Sequence, residues 1–324
     1  MSRPTALAAA GRRWHGGRPF PQALRRMTRP RPFLQLDVFA NRLFEGNPLA
    51  VVADATGLDA DAMQRIARWT NLSETAFLLP PTQAGADYRV RIFTPRQELP
   101  FAGHPSVGSA YVAIELGLVP AGKTTLLQEC AAGLLPVRVL GEGAARIIHV
   151  QAPPARLDDV DDALRAGLAK SLQVTLAPAQ ASRVDNGPHW IVCDLHEAGA
   201  VRALQPDMAA LAALCQRHAA VGVSVFGRER DAGAAAMAVR AFCPADGIPE
   251  DPVTGSANAA IMARLAARGD RDGYGLRYRA SPGREVGRDG VVEVARDAAS
   301  GAITIGGACA LGVRGELRWE DEPV

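Results

Sequence analysis

Lysine is almost absent: only Lys123 and Lys170 stand among 36 basic residues, and the rest are arginine. Eight arginines precede the first acidic residue, Asp37, which leaves 28 basic against 34 acidic residues for the remainder. A mildly acidic body excludes a whole-protein electrostatic footprint for nucleic acid. Long apolar runs are missing as well. No uncharged run is longer than Leu99 to Ile114, and it contains Gly, His, Pro and Ser. It falls short of the roughly 18–20 apolar residues that a membrane span requires. Cysteine is sparse and odd in number, at 130, 193, 215, 243 and 309, with no CxxC pair. That pattern excludes a disulfide framework or a zinc cage and predicts reduced thiols in a cytoplasmic protein. His189, Cys193 and His196 have loosely metal-like spacing, but on a strand residues 189 and 193 share a face that 196 does not, so no metal site is expected. There is no G-x-S-x-G elbow to make Ser256 a hydrolase nucleophile, no G-x-x-x-x-G-K-[ST] loop, and no G-x-G-x-x-G after a strand.

What is present is an ordinary globular mix, 48% hydrophobic and 22% charged, over 324 residues. At roughly 150 residues per domain, that length predicts two domains. Residues 1–30 are Arg-rich, acid-free and without apolar periodicity, and they read as a disordered or mis-started tail, with Met27 an equally good start. From Phe33 the pattern becomes regular. Phe33–Phe39 and Leu49–Ala53 read as strands about a Gly46-Asn47-Pro48 turn. Asp59 caps a helix carrying Ala62, Met63, Ile66 and Ala67 on one face. Strands are predicted at Thr75–Leu79, Tyr88–Phe93, Lys123–Cys130, Leu134–Leu140 and Arg146–Gln151. A helix is predicted to open at Pro105 and stop at Gly117. Short connections and an excess of strands predict an α+β class built on hairpins.

The second half repeats the first. Phe93, Pro95 and Pro100 recur as Phe242, Pro244 and Pro249 at an offset of 149, and Pro105, Gly108, Ser109, Ala110 and Ile114 recur as Pro252, Gly255, Ser256, Ala257 and Ile261 at an offset of 147. Pro48-Leu49-Ala50-Val51-Val52 is echoed by Pro188-His189-Trp190-Ile191-Val192. Three echoes in one order predict two pseudo-symmetric domains: 31–150 completed by about 300–324, and 151–299. The last strands, around Ala302 to Leu317, are expected to return to the first domain.

This alignment sets His104 and Asp251 side by side in the two halves, each directly before a helix-opening proline. The first turn of a helix carries free N–H groups and partial positive charge, so it binds anions. Two such ends facing one cleft would bind a carboxylate and stabilise an enolate-like anion. Taken singly, Asp251 is as well explained as an N-cap and His104 as a turn residue, and only their matched positions favour function. Glu74, in Asn71-Leu72-Ser73-Glu74-Thr75, sits between a helix end and a strand. It is a candidate base for removing a C–H proton if a partly dry cleft raises its pKa, and otherwise a solvated loop carboxylate.

These motifs together resemble the PhzF-like phenazine-biosynthesis isomerase family: Asn71-Leu72-Ser73-Glu74-Thr75, Phe93-Thr94-Pro95 with Glu98-Leu99-Pro100-Phe101-Ala102-Gly103-His104-Pro105, and Glu250-Asp251-Pro252-Val253-Thr254-Gly255-Ser256-Ala257. The resemblance spans roughly residues 31–320. It implies the diaminopimelate epimerase-like fold, in which each of two domains is a mostly antiparallel sheet wrapped around a central helix. It implies a proton shift without cofactor on a small carboxylate substrate, with neither nucleic acid nor membrane as partner, in a homodimer. The catalytic Glu would fall on Glu74, with His104 and Asp251 beside it. Asn47, Gly103, Asn186, Gly187, Thr254, Gly255 and Ser256 would bind substrate, and Pro188 and His189 belong to the same loops. Epimerases and racemases of this fold use two cysteines, one before each helix. Those places fall near Ala102 and Pro252 here, so a single carboxylate base is expected. The alternatives are a non-catalytic carboxylate binder and a two-base epimerase using Glu74 and Asp251.

Overall fold

In the computed structural model, residues 29–230, 237–268 and 273–319 are described; residues 1–28 of the expected tail, with the alternative start at Met27, lie outside them, while residues 29 and 30 belong to the first strand. The first half runs β1 (Arg29–Val38), β2 (Asn47–Val52), α1 (Ala60–Thr70), β3 (Thr75–Leu79), β4 (Tyr88–Phe93), β5 (Glu98–Leu99), α2 (Gly103–Glu115), β6 (Thr125–Cys130), β7 (Gly133–Leu140) and β8 (Ile147–Gln151). The second runs β9 (Arg156–Asp159), α3 (Asp162–Leu172), β10 (Ala181–Asp185), β11 (His189–Glu197), α4 (Ala198–Arg202), α5 (Met208–Arg217), β12 (Gly222–Arg228), β13 (Met237–Cys243), β14 (Ile248–Asp251), α6 (Gly255–Arg268), β15 (Arg277–Pro282), β16 (Val292–Arg296), β17 (Ile303–Gly307) and β18 (Cys309–Trp319). Residues 31–317 form one body.

Strand pairing repeats step for step. β1–β2 is antiparallel, β2–β3 parallel, β3–β4 and β4–β5 antiparallel, β4–β6 parallel, and β6–β7 and β7–β8 antiparallel. The series from β10 to β17 follows the same sequence of directions. The two series are joined by β8–β17, while β9 pairs with β10 and β18 with β1. The fold is thus α+β, antiparallel for the most part with two parallel pairs in each series.

α2 and α6 occupy equivalent places, and both are buried for most of their length, including ten of the thirteen residues of α2. Small side chains allow this. A Cβ on Gly108 would strike the Leu49 side chain and stand 3.0 Å from Val38 Cγ2. The surface helix α1 is amphipathic as expected, burying Ala62, Met63, Ile66 and Ala67. Asp59 caps its N-terminus by accepting from the Ala62 N–H, and Asn71 ends it in the left-handed region at φ 53°. The chain then turns straight into Ser73 and Glu74 ahead of β3.

The pairing corrects the repeat alignment. Phe93 and Phe242 are equivalent, but Leu99 pairs with Ile92 as Asp251 pairs with Ala241. From there the offset is 152, because the second hairpin tip carries three extra residues in a 3₁₀ turn at Pro244–Asp246. Pro100 therefore matches Pro252, Gly103 matches Gly255, and His104 matches Ser256; the counterpart of Asp251 is Leu99. Neither proline opens its helix. α2 begins two residues before Pro105, and α6 begins three after Pro252. Asp251 is the last residue of β14 and not an N-cap.

Candidate active site

The two central helices meet end to end. A Cβ on Gly103 would lie 3.0 Å from the Gly255 Cα and 3.0 Å from the Ser256 nitrogen, and one on Gly255 would lie 3.2 Å from the Gly103 Cα. No acidic residue occupies the first turn of either helix, so no side chain of those turns offsets their partial positive charge. Beside this junction lies a narrow cleft of about 40 Å³, lined by Glu74, Asp251, Trp190 and Ser256 among others.

Glu74 is partly buried, yet its Oε2 is closed off from solvent without a hydrogen-bond partner, 3.6 Å from His104 Nε2, which is likewise unpartnered. Burial first, then the charge of Asp251, pushes the Glu74 carboxyl up to about 8, against a smaller lowering by Ser73. Burial pulls His104 down to about 3, so its imidazole is neutral. Asp251 is also raised by burial, and hydrogen bonds from Thr254 and Asn47 oppose this. Both its oxygens are engaged: Asn47 Nδ2 donates to Oδ1 at 2.7 Å, and Thr254 Oγ1 donates to Oδ2.

The expected residues do converge, in different capacities. Glu74, Asp251, Thr254 and Ser256 line the cleft, with His104 just behind Glu74. Asn47 is fully buried, and its amide holds Asp251 and the Val253 carbonyl while Ser73 donates to its Oδ1 at 3.2 Å. Asn186 Nδ2 donates to the Ser256 carbonyl at 2.9 Å. Gly187, at φ 105°, makes the turn into β11 against Phe101. Gly103 and Gly255 are the close-approach points of the helices.

Comparison with known proteins identifies the family. Residues 36–315 match the family model described as phenazine biosynthesis-like protein. A trans-2,3-dihydro-3-hydroxyanthranilate isomerase from Pseudomonas aeruginosa is 36% identical over 258 residues, covering 79% of this chain and 87% of that one. The Schizosaccharomyces pombe protein named antisense-enhancing sequence 1 is 36% identical over 287 residues, covering 85% and 94%. The chain belongs to the phenazine biosynthesis-like protein family. It is an isomerase. The crystal structure of a PhzF-family protein from Bacillus anthracis superposes with a TM-score of 0.75 at 26% identity, covering 89% of this chain and 99% of that one. A hydroxyproline epimerase from Agrobacterium vitis shares the fold, with a TM-score of 0.65 at 15% identity over 91% of this chain and 94% of that one.

The residues directly before the two helices are Ala102 and Thr254, which replaces Pro252 as the second cysteine-equivalent place; neither is Cys. Several lining residues escape a reading of motifs: Trp190, Cys243, Asp246, Val221 and Ile248. Cys243 and Asp246 flank Pro244, which the repeat does identify, so their place at the cleft was open to inference from Thr94 and Pro95 in the first half. Trp190 and Val221 carry no such signal, since an aromatic or β-branched residue on a buried strand reads as core.

Proposed function

We propose that this isomerase moves a proton within a small carboxylate-bearing substrate without a cofactor, with Glu74 as general base and then general acid. The observation that carries this reading is the meeting, at one cleft, of a desolvated Glu74 carboxyl whose Oε2 has no hydrogen-bond partner with two helix N-termini that carry no acidic residue in their first turns. A carboxyl raised to about 8 balances the two roles near neutral pH, since its two protonation states are then both accessible. The first N–H groups of α2 and α6 would receive the substrate carboxylate and the negative charge that develops when a C–H proton leaves. Neutral His104, beside Glu74, would hydrogen-bond the substrate without competing for the proton.

The geometry favours one base over two. Asp251 already accepts from Asn47 and Thr254, which supports reading it as a structural and electrostatic neighbour whose charge raises Glu74. The substrate of the P. aeruginosa relative, trans-2,3-dihydro-3-hydroxyanthranilate, is the first compound to try, as an instance of a cyclic amino carboxylate. Exchange of substrate C–H for deuterium from solvent, followed by NMR across a panel of cyclic and amino carboxylates, tests the proposal. Exchange that needs Glu74 supports it. Binding with no exchange in any member would make the chain a carboxylate binder.

A further inference from the structure

Trp190 makes one hydrogen bond that the proton-shift scheme does not use: its indole Nε1 donates to Ser256 Oγ at 3.2 Å. Both side chains are buried, at 3% and 6% exposure, and both line the cleft. An indole N–H is a donor only, so Ser256 Oγ must be the acceptor. The serine hydroxyl is then left with its own hydrogen to donate, and among the described residues it has no acceptor. Ser256 is the second residue of α6, where the backbone N–H groups also point out of the helix.

The chain holds this arrangement at several points. Asn186 Nδ2 fixes the Ser256 carbonyl at 2.9 Å while Trp190 fixes its hydroxyl, so the β10–β11 turn grips both ends of one residue. The ring needs room on the neighbouring strand. Trp190 is the register partner of Gly222 in β12, and a Cβ there would stand 2.8 Å from Trp190 Cζ3. The glycine thus admits the ring, and the ring N–H takes one acceptor position of a hydroxyl that lines the cleft, leaving its proton to be donated elsewhere.

We infer that Trp190 is a positioning residue that commits the Ser256 hydroxyl to donate to the substrate carboxylate at the N-terminus of α6. This inference rests on the reading of the cleft as a carboxylate site. It does not depend on which group is the base.

The test is a double-mutant cycle on equilibrium binding, using the full chain with Glu74 intact. The probe is 3-hydroxyanthranilate, an aromatic carboxylate that has no proton shift to undergo; 2-aminophenol, which lacks the carboxylate, is the control. Trp190→Phe keeps a ring and removes the donor, and Ser256→Ala removes the hydroxyl. Trp190→Phe is expected to weaken 3-hydroxyanthranilate roughly five- to tenfold, the worth of one oriented hydrogen bond, and to leave 2-aminophenol unchanged. In the Ser256→Ala background the same substitution should have almost no further effect. Additive effects, or equal weakening of both probes, would mean that Trp190 only packs and would overturn the inference. Failure of 3-hydroxyanthranilate to bind the parent chain would overturn the carboxylate seat itself. Trp190→His, which restores a ring N–H, should recover part of the loss, and its thermal unfolding beside that of Trp190→Phe separates misfolding from a lost donor. Loss of deuterium exchange in Glu74→Gln with this cycle intact would separate the base assignment from the seat.

Discussion

Gly103 and Gly255 open the two central helices and lie against each other, with the Ile305 side chain packed at the same point. A Cβ at either position would displace the Ile305 side chain and crowd the backbone of the other helix at 3.0–3.2 Å. The contact brings two helix N-termini to one cleft, so the glycines serve charge placement as much as packing.

Gly255→Ala should therefore lower both stability and affinity for a carboxylate. Overpacking of a tight core contact costs about 1–3 kcal/mol. Urea unfolding measures the first effect, and the affinity for a carboxylate probe measures the second. An alanine variant with parental affinity and stability would show that the helices separate freely.

Asn47→Ala should destabilise the chain by about 1–3 kcal/mol, because it leaves Asp251 Oδ1 and the Val253 carbonyl buried without their donor. The variant should also raise Asp251 further, since the Asn47 hydrogen bond now lowers it. Asn47→Asp should be worse, as it sets a second carboxylate against the first. Urea titrations of the three proteins at one pH check the order.

The sequence carried the fold at the level of pattern. The α1 face, the strand order of the first half and the existence of a repeat could all be read from periodicity, caps and turns. The register of the repeat could not. Two prolines ahead of small-residue runs, Pro105 and Pro252, invited an offset of 147, whereas strand pairing gives 152 and makes His104 equivalent to Ser256. The residue that fixes register is glycine at the helix junction, and its role exists only once the halves meet. For the same reason the hold of Asn47 on Asp251 is invisible in sequence: a loop asparagine shows nothing of the carboxylate it meets 204 positions away. Glu74 stood out by motif alone, and its desolvation is a property of the assembled cleft.

Glu74 should also write itself into the pH dependence of stability. Its carboxyl is raised from an ordinary 4.5 to about 8, so the native state keeps a proton that the unfolded chain gives up. Its contribution is fully present below pH 4.5 and is lost as pH rises to about 8, at about 1.4 kcal/mol per pH unit within that window. Glu74→Gln does not titrate. Its stability relative to the parent should climb between those two values and level off above. His104, lowered to about 3, acts in the opposite sense, losing its contribution as pH falls from 6.5 to about 3; the two windows overlap above pH 4.5, and the difference between Glu74→Gln and parent isolates Glu74. A difference between Glu74→Gln and parent that ignores pH would mean that Glu74 ionises normally.

Catalysis supplies the sharpest comparison, between Glu74→Gln and Asp251→Asn. A positioned acid–base group contributes roughly 10²–10⁴-fold, so Glu74→Gln should lose at least that in kcat with little change in binding. Asp251→Asn should lose less, because an amide at that place can still accept from Asn47 and donate toward Thr254 Oγ1. Removing its charge should also move the rising limb of the kcat/KM profile from near pH 8 to lower pH, since that charge is the second largest cause of the raised Glu74. A two-base scheme makes different demands: equal losses in both variants, and exchange on opposite faces of one carbon. Deuterium incorporation with product stereochemistry in each variant decides between them. Near-parental turnover by Glu74→Gln on a verified substrate would remove Glu74 from the mechanism and make Asp251 the group to examine as base.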